Sequence, residues 1–108
     1  MVGRLSTYEG PAEEVDRVRD GFERLTDELR TMNGFEDAYL LVDRDSGEAM
    51  TLTIWDNEAA AESSADRAKE MREEVASAAQ AGIKSVRNYE IALRVPRLTG
   101  NAAANGGN

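Results

Sequence analysis

The sequence predicts an α+β fold in which two helices lie on one face of a four-stranded antiparallel sheet. Short runs rich in β-branched and aromatic residues alternate with two long amphipathic segments, in the order strand, helix, strand, strand, helix, strand. The chain has 108 residues, which suits a single domain. Hydrophobic residues make up 41% of it and charged residues 31%, a balance typical of globular proteins.

The first strand and the first helix meet at Gly10-Pro11. The segment Arg4–Glu9 has the β-branched and aromatic content of a strand. Pro11 suits the first helical position, because the N–H that proline lacks would be unpaired there. From Pro11 to Met32 the apolar residues recur at spacings of three and four, which predicts one helix with one apolar stripe. The stripe consists of Val15, Val18, Phe22, Leu25, Leu29 and Met32.

The two central strands are predicted to form a hairpin. The runs Phe35–Val42 and Glu48–Trp55 flank a polar turn that ends at Gly47. A three-residue loop with Gly47 as its bulge residue pairs Val42 with Met50, Leu40 with Leu52 and Ala38 with Ile54. The opposite face then carries Tyr39, Leu41, Thr51, Thr53 and Trp55. We expect this register because a slip of one residue would mix the two sets.

The second helical region and the last strand complete the pattern. Asp56 is the expected N-cap of a short helix followed by a longer one within Asn57–Gln80. The expected inner face of this region consists of Ala61, Ala65, Ala68, Met71, Val75 and Ala79. Alternating apolar residues predict a final strand over Ile83–Val95, ended by Pro96. We therefore expect a domain over residues 1–95 and a flexible, low-complexity tail over residues 96–108.

This order of elements is the split βαβ arrangement, a ferredoxin-like βαββαβ fold. Two helices can cover only one face of the sheet, and the predicted strands are apolar on both faces. The uncovered patch exceeds what a soluble monomer usually exposes. We therefore expect a homodimer in which two sheets pack face to face about a two-fold axis.

Composition excludes several classes of function. The chain has no Cys and no His, which removes disulfides, thiol nucleophiles, Ser-His-Asp triads and His-ligated haem. No metal-ligand cluster or glycine-rich phosphate loop is present, so neither a metal nor another cofactor is expected. A net charge of −8 disfavours nucleic acid and anionic membranes as partners. With no signal-like segment and no apolar run long enough for a membrane span, we expect a cytoplasmic protein.

The residues Gly34-Phe35, Ala38–Val42, Ser46-Gly47-Glu48 and Leu52–Asp56, followed by an Ala-rich helix and Asn88–Ile91, resemble the dimeric α+β barrel superfamily. Within it, the chain is most similar to antibiotic-biosynthesis-monooxygenase domains, over roughly residues 1 to 95. The resemblance implies a homodimer with a pocket between sheet and helices in each subunit. Characterised relatives include cofactor-independent oxygenases of phenols or quinols, haem-degrading oxygenases and small isomerases. The haem-degrading group uses a helix histidine, which this chain lacks.

Two classes of function remain open at this point. One is a cofactor-independent monooxygenase that acts on a small aromatic or polyketide-type metabolite in a dry pocket with aromatic walls and a hydrogen-bonding phenol. The other is a non-catalytic dimeric module that binds a small hydrophobic ligand or stabilises a partner. No spacing identifies a catalytic set. The candidate ligand-binding residues are Tyr8, Tyr39, Thr53, Trp55, Met71 and Tyr89.

Overall fold

The computed structural model describes residues 1–98 and confirms the predicted α+β, ferredoxin-like order of elements. Its strands are β1 (Val2–Glu9), β2 (Phe35–Val42), β3 (Ala49–Trp55) and β4 (Gly82–Glu90). They form one antiparallel sheet in the order β2-β3-β1-β4. Its helices are α1 (Val15–Glu23), α2 (Thr26–Arg30), α3 (Glu58–Ser63) and α4 (Ala65–Ala78). No helix of the described part of the chain is long and apolar enough to span a membrane.

The core lies between the helices and one face of the sheet. Two adjoining clusters of buried residues form it. One consists of Tyr8, Val18, Ala49, Val75, Ala76 and Ala79, and the other of Leu29, Trp55, Ala61 and Met71. A surface ion pair joins two of the helices above this core, since Arg67 of α4 donates to both carboxylate oxygens of Glu28 of α2 at 2.6 and 2.7 Å. This pairing holds the pKa of Glu28 below its usual value.

The first helical region is interrupted, so the prediction of a single helix from Pro11 to Met32 was wrong. A 3₁₀ turn over Ala12–Glu14 precedes α1, and α1 ends before Leu25. The N–H of Leu25 bonds to the carbonyl of Phe22, three residues back, and the Thr26 hydroxyl donates to the carbonyl of Glu23 at 2.8 Å. These local bonds replace helical ones and bend the chain. The apolar stripe still faces the sheet on both sides of the bend.

The second helical region divides into a short and a longer helix as predicted, but its cap differs. Asn57, not Asp56, is the N-cap of α3, and its side-chain oxygen accepts from the N–H of Ala60 at 2.8 Å. Asp56 instead extends the sheet edge, where its N–H bonds to the carbonyl of Gly34. Ala65, predicted on the inner face, is exposed. Ser64 is buried in its place at the junction of the two helices.

The hairpin is shifted by one residue from the predicted register. Val42 pairs with Ala49 and Leu40 with Thr51. The cause lies in the loop. The carboxylate of Asp43 accepts from the N–H groups of Asp45 and Ser46, while its own N–H bonds to the carbonyl of Glu48 at 2.8 Å. Asp43 and Glu48 therefore close a loop of four residues, where the prediction had three.

The shift exchanges the predicted faces of β3, because side chains alternate along a strand. Thr51, Thr53 and Trp55 face the helices, whereas the prediction placed them on the uncovered side with Tyr39 and Leu41. Tyr39 and Leu41 do lie on the uncovered side. We call that side the open face; its side chains include Leu5, Tyr39, Leu41, Met50, Leu52 and Tyr89.

The last strand is shorter than predicted, since β4 ends at Glu90 and not at Val95. One further ladder bond joins the N–H of Ile91 to the carbonyl of Met1. Leu93 and Val95 are about 80% exposed, at 80% and 82%. The predicted boundary at residue 95 stays a prediction, and residues 99–108 of the predicted tail lie outside the described part.

Replacing Gly34 with Ala should destabilise the fold. Gly34 has φ +79°, a left-handed conformation, and an added methyl would overlap the methyl of Ala60 on α3. We expect the free energy of unfolding in urea to fall by about 1–3 kcal/mol. Gly82→Ala is the matched control, because its backbone is not left-handed and the added methyl meets only the carbonyl oxygen of Glu9, at an ordinary contact distance of 4.0 Å. An equal loss of stability in the two variants would contradict this account of Gly34.

Candidate ligand pocket

A narrow cavity lies between the sheet and the helices, among side chains that the corrected register brings to one face. Its volume is about 30 Å³, room for one or two water molecules. One wall is polar and comes mainly from the strands: Arg4, Ser6, Tyr8, Thr51, Thr53 and, from α4, Arg72. The other is apolar: Phe22, Leu25, Leu29, Trp55, Ala68, Met71 and Val75. We call this space the sheet–helix cavity.

Arg4 is the most buried charged group in the cavity wall, with 5% of its surface exposed. Its guanidinium donates to the carbonyl of Ala61 and, at 3.4 Å, to the hydroxyl of Ser64. The guanidinium carbon also lies 5.6 Å from the ring centre of Trp55, within cation–π range. Burial and the charge of Arg72 lower the pKa of Arg4 from its usual value. The group still carries its charge at neutral pH, because arginine remains protonated in proteins.

Arg72 and Tyr8 form a second part of the polar wall, in which only Arg72 is charged. Arg72 is half-buried, and burial lowers its pKa, while the nearby Tyr8 and the carboxylate of Glu73 act in the opposite direction. Tyr8 is 2% exposed. Burial raises the pKa of its phenol, against the opposing effects of a hydrogen bond with Thr51 and of the Arg72 charge. Tyr8 is therefore protonated at neutral pH and presents a hydroxyl that can donate.

Trp55 forms a rigid aromatic wall. It is fully buried, at 0% exposed. Its indole N–H donates to the hydroxyl of Thr53 at 3.0 Å, and Phe35 packs edge-on against it with ring centres 5.6 Å apart. The Trp55 donor is thus already used within the protein. What the side chain presents to the cavity is an apolar ring surface.

The predicted binding residues divide between the two faces of the sheet. Tyr8, Thr53, Trp55 and Met71 line the cavity together. Tyr39 and Tyr89 lie on the open face, where they are about half exposed, at 51% and 48%. The structure therefore gathers four of these candidates into one site and places the other two on the opposite side of the sheet. Whether any of the six binds a ligand stays a prediction.

Both arginines of the wall escaped the sequence prediction. The alternation of Arg4, Ser6 and Tyr8 along β1 was a usable signal, because it places three polar side chains on the face that packs against helices. Arg72 follows Met71 at the edge of the inner face of α4 and gave no comparable signal. Residues 1–98 contain no cluster of three His, Cys, Asp or Glu side chains that could hold a metal ion.

Tyr8 should make the protein less stable in alkali. Its pKa is raised in the folded state, so above about pH 10 the unfolded chain releases a proton that the folded chain keeps. The free energy of unfolding should therefore fall as pH rises through this range, and this part of the fall should be absent in Tyr8→Phe. Urea unfolding of both proteins between pH 8 and pH 11 measures it. Parallel pH profiles of the two proteins would contradict the assignment.

The solved structures that share this fold include the following three. A candidate antibiotic biosynthesis monooxygenase from Deinococcus radiodurans has a TM-score of 0.70 at 16% identity, covering 92% of this chain and 100% of that one. SnoaB, a cofactor-independent oxygenase from Streptomyces nogalater, has a TM-score of 0.63 at 17% identity, covering 89% and 97%. MhuD, a haem degrader from Mycobacterium tuberculosis with two haems in its active site, has a TM-score of 0.68 at 19% identity, covering 89% and 100%. At these identities the likeness shows the fold.

Family membership comes from the sequence itself. No curated protein matches the chain. The family model described as antibiotic biosynthesis monooxygenase matches residues 1–68, well over half of the chain, and this range contains the polar wall on β1 and β3 together with Trp55. The chain therefore belongs to the antibiotic biosynthesis monooxygenase family.

Proposed function

We propose that this protein is a homodimeric, cofactor-independent monooxygenase that acts on a small aromatic metabolite bound in the sheet–helix cavity. The observation that carries the proposal is a buried cavity in a family member that combines an aromatic wall at Trp55 with a protonated phenol at Tyr8. The similarity to the fold of SnoaB, a cofactor-independent oxygenase, supports the same function.

The reaction needs no external reductant when the substrate itself supplies the electrons. An activated methylene flanked by aromatic rings is oxidised to a ketone, as R₂CH₂ + O₂ → R₂C=O + H₂O. One oxygen atom enters the product and the other leaves as water. The protein's task is to hold the substrate away from bulk water and to stabilise the oxyanion formed when the substrate loses a proton. Tyr8 supplies a hydrogen-bond donor for that oxyanion.

The size of the cavity sets a condition on this proposal. A protein cavity that binds benzene measures about 150 Å³, whereas the sheet–helix cavity measures about 30 Å³. Admission of an aromatic ring therefore requires the cavity to widen. Its boundary includes Leu25, which lies at the bend between α1 and α2, where helical hydrogen bonds are already replaced by local ones. A small movement of α2 away from the sheet would enlarge the space.

The same narrowness favours the second candidate function, a non-catalytic dimeric module that binds a small ligand or stabilises a partner. Its cavity lining also contains no carboxylate or imidazole to serve as a general base. In this alternative the polar wall positions a ligand and no oxygen is consumed.

Haem degradation in the manner of MhuD does not fit this chain. The sequence has no histidine and no cysteine to bind haem iron through imidazole or thiolate. The cavity is also several times smaller than a protein cavity that binds benzene, and a porphyrin is much larger than benzene.

The proposed homodimer follows from the open face. Tyr39, Leu41 and Tyr89 are all close to half exposed on one side of the sheet, and no helix of the described residues covers them. Contact with the same face of a second copy would bury these side chains in an isologous interface. We also propose a cytoplasmic location, as expected from the sequence.

An oxygen electrode tests the proposed activity. We expect oxygen uptake with at least one member of a panel of anthrones, quinols and flavonols, with the oxygenated product identified by mass spectrometry. Tyr8→Phe should lower kcat by about a hundredfold, because it removes a donor to the oxyanion. Tyr39→Phe loses the same hydroxyl on the open face and should leave kcat unchanged. Absence of uptake with the whole panel would leave the non-catalytic module.

Light scattering tests the homodimer. The chain mass is 11.8 kDa, so a dimer should give about twice that value. Leu41→Glu places a charge on the open face and should shift the mass towards the monomer, because a buried charge would be unpaired in the interface. Ala78→Glu adds the same charge at an exposed position of α4 and should leave the dimer intact. A monomeric wild-type protein at micromolar concentration would refute the face-to-face assembly.

A further inference from the structure

We propose that the ligand of the sheet–helix cavity carries a carboxylate, held between the guanidinium groups of Arg4 and Arg72. The proposal specifies the chemical class of the ligand, an aromatic carboxylate. It rests on the proposed function in one respect, namely that this cavity is the substrate site.

The distribution of charge in the chain points to an anionic ligand. The chain carries a net charge of −8, and within residues 1–98 acidic groups pair with six of its basic side chains: Arg17, Arg19, Arg30, Arg44, Arg67 and Lys84. Two basic side chains line the cavity, Arg4 and Arg72. Neither has an ion-pair partner among residues 1–98. The charge of Arg72 thus acts on the buried guanidinium of Arg4 within an acidic protein.

Such a placement costs stability unless an anion completes it. A buried charge without a counter-charge is disfavoured by desolvation, and the charge of Arg72 also disfavours the charge of Arg4. The carboxylate of Glu73 only partly offsets the cost of burial at Arg72. The bonds from Arg4 to Ala61 and Ser64 fix its guanidinium in place but leave its charge uncompensated, since both acceptors are neutral. An anionic ligand would compensate both arginines at once.

The size of the cavity and the shape of its guanidinium groups suit a carboxylate. The cavity has room for one or two water molecules, and the two oxygens of a carboxylate occupy a similar space. Guanidinium groups bind carboxylates through paired N–H donors. The hydroxyls of Ser6, Thr51 and Thr53 lie in the same wall and offer further donors.

A carboxylate suits the two arginines better than a phenol does, because it is already charged before it enters the cavity. Tyr8 places a phenol in this same wall, close to Arg72, and burial nevertheless keeps its pKa above the usual value. A carboxylate is ionised well below neutral pH in water, with a pKa of about 4. It therefore arrives as an anion and stays one.

The apolar wall indicates what the carboxylate is attached to. Phe22, Leu29 and Trp55 lie in the wall opposite the polar one, and flat aromatic surfaces pack well against rings. A carboxylate attached to an aromatic ring would place its charge at the arginines and, once the cavity widens as any ring requires, its ring among these side chains.

Benzoate, which has no position that this chemistry oxygenates, tests binding apart from turnover. Trp55 is the single tryptophan of the chain and lies in the cavity wall, so its fluorescence reports occupancy directly. Titrations in low-chloride buffer compare benzoate with neutral benzamide, and with acetate and inorganic phosphate as anions that lack the ring. We expect benzoate to bind at least about tenfold more tightly than each of the other three.

Variants on α4 assign the effect to Arg72. Arg72→Gln should weaken benzoate binding by about tenfold or more, and Arg72→Lys should restore much of it by returning the charge. Lys69→Gln removes one positive charge from the exposed side of the same helix and should change the affinity by less than about twofold. Circular dichroism of each variant verifies that it is folded.

Several outcomes would overturn the proposal. Equal binding of benzoate and benzamide would show that charge is not recognised, and phosphate or acetate binding as tightly as benzoate would remove the aromatic part. An unchanged affinity in Arg72→Gln, or no binding of any probe, would also refute it. Benzoate binding without oxygen uptake by any panel substrate, with members that carry a ring carboxylate included in the panel, would support the carboxylate site and contradict the oxygenase, so the two proposals fail separately.

Discussion

The buried guanidinium of Arg4 is the contact on which the arrangement of the site depends. It connects three parts of the chain, since it projects from β1, donates to the carbonyl of Ala61 and the hydroxyl of Ser64 at the α3–α4 junction, and lies against the ring of Trp55 at the end of β3. These bonds also use an α3 carbonyl that has no helical partner at the break between the two helices. The same side chain therefore positions the helices over the sheet and brings a positive charge to the cavity.

The pairing of β1 with β3 is the second constraint, because it decides which side chains of β3 meet Arg4. Thr53 lies opposite Arg4, and Thr51 lies opposite Ser6, across the β1–β3 ladder. The loop closed by Asp43 and Glu48 sets a different alignment, that of β2 with β3. The predicted pairing kept Thr51 on the side of Tyr39 and Leu41, whereas the observed pairing brings Thr51 to the side of Leu40.

Sequence patterns predicted the fold well and the site in part. The 3.6-residue stripe from Val15 to Leu29 and the hairpin around Gly47 were sufficient for the order of elements, because each pattern follows from burial of one face. They could not locate the bend at Leu25, which arises from a side-chain bond of Thr26, nor the loop length, which arises from Asp43. Arg72 could not be identified at all, since an arginine next to an inner-face methionine is equally typical of a solvated helix flank.

The distribution of polarity over the two faces of the sheet connects assembly with function. In an ordinary two-layer α+β domain the apolar face meets the helices and the polar face meets water. Here the helix-facing strands carry Arg4, Ser6, Thr51 and Thr53, while the open face carries Leu5, Leu41, Leu52 and Tyr39. Polar groups beneath helices are costly unless they are satisfied, and apolar groups in water favour association. The proposed ligand would complete the inner face, and the proposed second copy of the chain would cover the outer one.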